Sequence, residues 1–156
     1  MYHEIIFSDY LYNSPYTCYF SRMCNYWEDK KTDSHVLLIQ GNALFLDGQY
    51  DRAIAFFNKA IEINPRFAEA YLNRGYAYDA KKQYDKAISD YSKAIELNPR
   101  YVEAYGSRGI TYEKKGQYDQ AIADNTKAIE INPRADKAYH NRGHAYWKKD
   151  QFDKAI

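Results

Sequence analysis

The chain has 156 residues, enough for one ordinary domain that buries a core without disulfide or metal staples. Charged residues make up 28% and the formal net charge is +1. Neither sign dominates, which excludes a bulk electrostatic attraction to nucleic acid or to an anionic membrane.

Met1–Tyr10 lacks the basic start and long apolar run of a signal peptide. No stretch approaches the roughly 20 apolar residues of a membrane span. Cys18 and Cys24 are the only cysteines and make no disulfide framework. A reducing, cytoplasmic setting is the expectation. Residues 1–33 hold nine aromatics, of which Tyr19, Phe20, Tyr26 and Trp27 share a helical stripe with Met23. Ser14-Pro15 suits an N-cap and first turn. A helix over 15–28 is expected, as a cap on the segment after it; a degenerate extra repeat is the alternative. Cys18 and Cys24 fall on different faces of that helix, which opposes a disulfide between them.

From residue 34 the chain repeats. Asn-Pro-Arg recurs at Asn64, Asn98 and Asn132, spaced 34 residues apart. Gly41, Gly75, Gly109 and Gly143 follow the same period, as do Ala53, Ala87, Ala121 and Ala155, and Ala60, Ala94 and Ala128. The units run 34–67, 68–101, 102–135 and, in part, 136–156. The second and third agree at about 20 of 34 places.

Each unit reads as two helices. Tyr84, Ala87, Ile88, Tyr91, Ala94 and Ile95 form one stripe at steps of three and four. Tyr71, Gly75 and Tyr78 form its partner. Gly75 and Ala87 are expected to let two helix backbones approach within a unit, with Ala94 doing so against the next one. Pro then stops each second helix, and Asn before it favours a turn. Two positions depart from the series. Leu44 stands where Tyr78, Tyr112 and Tyr146 stand, and Asn125 replaces the aromatic of Phe57 and Tyr91. Packing around Asn125 is expected to be looser. In the last unit Ile156 is expected to lie within a second helix, leaving Tyr139, Tyr146, Trp147 and Phe152 without cover. That favours a fragment of a longer repeat protein, or an end that pairs with another copy.

In residues 34–156, the motif Ala70-Tyr71, Asn73-Arg74-Gly75, Tyr78, Tyr84, Ala87, Tyr91, Ala94 and Pro99 resembles the tetratricopeptide repeat family. The resemblance implies an all-α, right-handed superhelical solenoid of antiparallel helix hairpins, with the first helix of each unit facing a concave groove. It implies a protein–protein interaction scaffold that holds a peptide or protein segment.

Carried over, the groove lining is Leu38, Asn42 and Phe45 in the first unit, and Glu69, Leu72, Asn73, Tyr76 and Asp79 in the second. The third unit gives Glu103, Ser107, Ile110 and Glu113, and the fourth Lys137, His140, Asn141, His144 and Lys148. A carboxylate clamp for acidic chaperone tails resembles two Lys, one Arg and two Asn on three successive first helices. Asn42 and Asn73 match it, but the cation places hold Leu38, Glu103 and Ser107. Acids in the middle of the groove oppose an acidic tail. A basic peptide with an apolar anchor is the expected ligand.

Chemistry is not evident. No phosphate-cradling Gly loop and no nucleophile motif occur. His140 and His144 have the spacing for two ligands on one metal, yet Asn141 stands where a metalloprotease needs Glu and no third ligand appears. They read as groove histidines. Arg74, Arg108 and Arg142 recur every 34 residues. They are expected beside carboxylates of their own units, such as Glu69 or Glu103, rather than on phosphates. The chain is therefore read as a non-enzyme without cofactor, nucleic acid or membrane. The alternatives are a non-catalytic arm of a larger enzyme, or a homo-oligomer through the fourth unit.

Overall fold

The structure is a computed structural model that describes residues 33–155. The helix expected over 15–28 and both cysteines lie outside the described residues. Within them seven α-helices follow one another and no strand occurs. They are α1 (Ser34–Leu46), α2 (Tyr50–Ile63), α3 (Ala68–Ala80), α4 (Tyr84–Leu97), α5 (Val102–Lys114), α6 (Tyr118–Ile131) and α7 (Asp136–Ala155). The first six pair as antiparallel hairpins stacked in chain order. The architecture is an all-α repeat solenoid.

The turns explain the punctuation of the sequence. Asp33 caps α1 by accepting from the backbone N–H of His35 at 2.8 Å. Each of α1, α3 and α5 closes with a residue in the left-handed region: Gly48 at φ +75, Lys82 at φ +58 and Gly116 at φ +74. After α5 the Gly116 N–H donates to Glu113 at 2.8 Å and the Gln117 N–H to Tyr112 at 2.9 Å, so two orphan carbonyls are satisfied. Each second helix then starts on Tyr-Asp, where Asp51, Asp85 and Asp119 favour the positive end of the helix dipole. Each ends at Asn. The Asn64, Asn98 and Asn132 side chains accept from the N–H of Arg66, Arg100 and Arg134 at 3.1, 3.2 and 3.0 Å. That bond spans the proline, which has no N–H of its own, and fixes the turn into the next unit.

Within the first two hairpins, the glycines serve a different neighbour from the one expected. A Cβ on Gly75 would lie 2.5 Å from the Tyr91 ring, and one on Gly41 would lie 2.4 Å from the Phe57 ring. Glycine therefore makes room for an aromatic side chain, not for a second backbone. Phe57 is 0% and Tyr91 1% exposed. Burying each ring contributes about 2–3 kcal/mol. In the third hairpin, Asn125 takes the ring's place at 1% exposure. Its Nδ2 donates to the Ala121 carbonyl at 2.8 Å, while its Oδ1 is buried without a partner. Such an orphan acceptor costs about 1–3 kcal/mol.

Arg74 and Arg108 do meet carboxylates of their own units, but Asp90 and Asp124 rather than Glu69 and Glu103. Arg74 grips Asp90 of α4 with two bonds of 2.7 and 2.6 Å, and reaches back to Asn58 of α2 at 2.7 Å. Arg108 repeats this with Asp124 at 2.8 and 2.8 Å and with Ser92 at 2.8 Å. Tyrosines three residues before and four residues after flank each guanidinium: Tyr71 and Tyr78 at 5.4 and 6.0 Å, Tyr105 and Tyr112 at 5.8 and 5.8 Å. Each node thus ties three helices together. It also gives a use for many of the 18 tyrosines.

The last unit departs from expectation. No turn follows Lys148; α7 runs unbroken for 20 residues. Position 150, equivalent to Gly48, Lys82 and Gly116, holds Asp. At Lys82 the packing of a complete second helix holds the unfavourable backbone.

Candidate peptide-binding face

The first helices of successive units touch one another: α1 with α3, α3 with α5, α5 with α7. The second helices α2, α4 and α6 make no contact with each other among the described residues. First helices therefore crowd the inner side of the stack, and the second helices spread on the outside.

Polar rungs cross the inner face. Asn73 donates to Asn42 at 2.8 Å. The Tyr76 hydroxyl donates to Glu103 at 2.8 Å and accepts from Ser107 at 3.0 Å. Asp79 accepts from Thr111 at 3.0 Å and pairs with Lys114. His144 Nδ1 lies 2.9 Å from Glu113, and its ring stacks on Trp147 with centroids 5.7 Å apart. Several rungs join residues 31 apart, as in Asn42–Asn73, Tyr76–Ser107 and Glu113–His144. That is one period less about one helical turn.

These contacts sort the expected site residues. Leu72 is 2% exposed and belongs to the core with Tyr91 and Ala104, so it does not line the face. Leu38, at 5%, is likewise buried. Both leucines turn into the core of the stack. Asp79 and Glu113 are engaged by Lys114 and His144. Glu69, Glu103, Ile110 and His140 fall on this side, and all four are exposed. Asn42, Asn73 and Tyr76 are half-buried and held by their rungs.

The acids leave a mark on their surroundings. The Tyr101 phenol is pushed up to about 12, first by burial and then by the negative charge of Glu103 and Glu69. Burial also raises Tyr76, with Glu103 adding to the shift and the Ser107 hydrogen bond opposing it. Both phenols stay protonated at neutral pH, and Tyr76 serves as a donor. Tyr101, Lys114 and Trp147 are absent from the groove residues that the sequence suggests. Lys114 is findable from the spacing, since it lies about one period after Asp79 on the next first helix.

Among the described residues no group of three His, Cys, Asp or Glu side chains could hold a metal ion. None of the described helices is long and apolar enough to cross a membrane.

Sequence profiles described as tetratricopeptide repeat match residues 68–101, 102–134 and 136–156, and one described as TPR repeat matches 41–82. No curated protein matches the chain significantly. Among solved structures, the crystal structure of MamA is 30% identical at a TM-score of 0.74, covering 84% of this chain and 77% of that one. The first TPR of Spaghetti (RPAP3) bound to the HSP90 peptide SRMEEVD is 29% identical at 0.72, covering 74% and 91%. The Sgt2 TPR domain from Aspergillus fumigatus is 26% identical at 0.74, covering 78% and 82%.

Proposed function

The chain belongs to the tetratricopeptide repeat family, and from that premise we propose that it is a protein-interaction scaffold whose inner face binds a basic peptide segment with an apolar anchor. The observation that carries this reading is the pair of carboxylates, Glu69 and Glu103, on neighbouring first helices. Burial first, and then the negative charge of Glu103 and Glu69, raise the Tyr101 phenol. Asp79 and Glu113 are set aside as recognition groups because Lys114 and His144 engage them. Ile110, 40% exposed, offers the apolar anchor site on the same helix as Glu103.

The related domain in complex with SRMEEVD carries an acidic peptide. Here the places that resemble a carboxylate clamp's cations hold a buried Leu38, an exposed Glu103 and a Ser107 bonded to Tyr76. An acidic tail would meet like charge.

Fluorescence anisotropy with two peptide series tests the proposal. Peptides carrying Lys or Arg next to an apolar residue should bind, and SRMEEVD should not. Glu69→Lys with Glu103→Lys should weaken the basic peptides by about tenfold or more, because attraction turns into repulsion at two places. Tighter binding of the acidic, carboxylate-ended series by the unmodified chain would overturn it.

A further inference from the structure

One position of the inner helices is plugged in the first two units and open in the third. Leu38 and Leu72 are buried there. Each shares a core cluster with the aromatic that leads into the next inner helix, Phe67 for Leu38 and Tyr101 for Leu72. In the third unit both partners are lost together: Gly106 stands for the leucine and Ala135 for the aromatic. Among the described residues, beyond its chain neighbours and its own helix backbone, no atom lies within 4 Å of a Cβ placed on Gly106. Adjacent side chains do not swing in. Tyr105 lies over Arg108 at 5.8 Å, and His140, at the equivalent place on α7, is exposed.

The result is a notch between α5 and α7. Gly106 is half-buried where its counterpart Leu72 is 2% exposed. Ala138, also buried, holds the place that Ala104 holds beside Leu72. Glu103 and Ile110 stand about one turn to either side of Gly106 on α5, and both are exposed. One lip thus carries a carboxylate and the other an apolar side chain. Glu103 accepts from Tyr76 through Oε1, which leaves Oε2 without a partner among the described residues. A glycine inside a helix is costly. At Gly41 and Gly75 that cost makes room for a ring of this chain; at Gly106 it makes room for nothing that the described residues supply.

We propose that the notch at Gly106 seats an aromatic side chain of the peptide, with Glu103 taking the Lys or Arg next to it. The inference rests on the basic-peptide reading of the inner face and assigns its anchor. Charge complementarity selects the flank, since the lip carboxylate turns away an acidic neighbour. Shape selects the anchor. The side chains missing from this seam are a leucine and a ring, and Gly106, Ala135 and Ala138 leave small walls between which a flat ring fits. A ring buried in such a pocket, with polar groups at its rim, is where the energy of an interface concentrates.

The test uses the full chain and two labelled peptides that differ at one residue, with Arg-Phe at the centre of one and Arg-Ala at the centre of the other. Anisotropy should show the Phe peptide binding roughly tenfold more tightly, the scale of burying part of a ring. Gly106→Leu in the protein should weaken the Phe peptide by the same factor, and the two changes together should be no worse than either alone. The variant should also melt at a higher temperature, because it restores a core leucine and removes a helical glycine. Should it fold poorly by circular dichroism, Ala135→Tyr, which restores the ring on the opposite wall, takes its place. Indole reads the notch apart from the charges. Its addition at millimolar concentration should shift the Gly106 amide resonance saturably, and not in Ala135→Tyr. Equal binding of the two peptides would overturn the proposal and leave the basic-peptide reading standing. Binding of indole but of neither peptide would overturn that reading and the anchor with it. A dimer in sedimentation velocity that Gly106→Leu dissolves would also overturn the proposal, and give the notch to a second copy.

Discussion

Lys82 holds the left-handed conformation that Gly48 and Gly116 hold at the equivalent turns. A side chain with a Cβ is disfavoured there by about 1–2 kcal/mol. Part of that is offset because glycine loses more chain entropy on folding. Lys82→Gly is therefore expected to stabilise the fold by somewhat less than ~1 kcal/mol and raise the thermal midpoint by a few degrees. Thermal circular dichroism reads it; an unchanged or lower midpoint would show that Lys82 is not strained. A second residue-scale effect concerns alkali. Tyr101, Tyr76 and Tyr91 all hold their protons more tightly when folded, chiefly through burial. Above a pH of about 10, the ordinary tyrosine value, the unfolded chain loses protons that the folded chain keeps. Their contribution to stability is thus full below about pH 10 and declines as pH rises through about 12, where Tyr101 itself ionises. Urea midpoints measured at intervals from neutral pH upward should be flat and then fall over that window.

Between helices, the Arg–Asp nodes are the devices that the sequence displays without explaining. Arg74 and Arg108 stand out by their period, yet Glu69 and Glu103, close to them in sequence, are the wrong partners. The right ones lie 16 residues on, across the hairpin. A periodic series marks which positions matter but not which faces meet. Asp90→Ala leaves a guanidinium that is only 19% exposed without its acid. The expected loss is about 3 kcal/mol, the scale for breaking a buried pair by removing one partner. Arg74→Met in the same background should recover part of it. Chemical denaturation of the two variants checks this; a loss below ~1 kcal/mol would place the pair among ordinary surface contacts. The continuity of α7 is also hidden in the sequence. The repeat's pattern runs past the turn into Gln151-Phe152-Asp153, as at Gln83-Tyr84-Asp85, and Asp150 is no poorer a turn-former than Lys82, so the pattern predicts a break where the helix continues.

For the stack as a whole, stability is a sum over hairpins and their seams. The hairpins are not equal. The third has an amide where the others have a ring, with one buried oxygen unpaired. Native-state hydrogen exchange should find α5 and α6 opening at lower free energy than α3 and α4. Asn125→Phe should close the gap by about 1–2 kcal/mol, from ring burial and loss of the orphan acceptor. Phenylalanine suits the site because Ala145 holds the place that Ala77 holds beside Phe57. Uniform protection along the chain would contradict the ranking. The solenoid itself is readable from the 34-residue period, because the period fixes helix, turn and helix at once. The inner face is readable only as a set of positions. Rungs such as Asn42–Asn73 and Glu113–His144 depend on the register between neighbouring units, which no single unit encodes.

That register has a mechanical side. Inner helices are bonded rung to rung, while the described outer helices make no contact with each other. The arginine nodes carry the tie outward, since Arg74 and Arg108 also reach back to Asn58 and Ser92 on the preceding second helices. The molecule is laced twice, by rungs along its inner edge and by guanidinium ties through its middle. Tilting one hairpin against the next strains the rungs, the arginine ties and the shared core at once, so neighbouring units move as one stiff run.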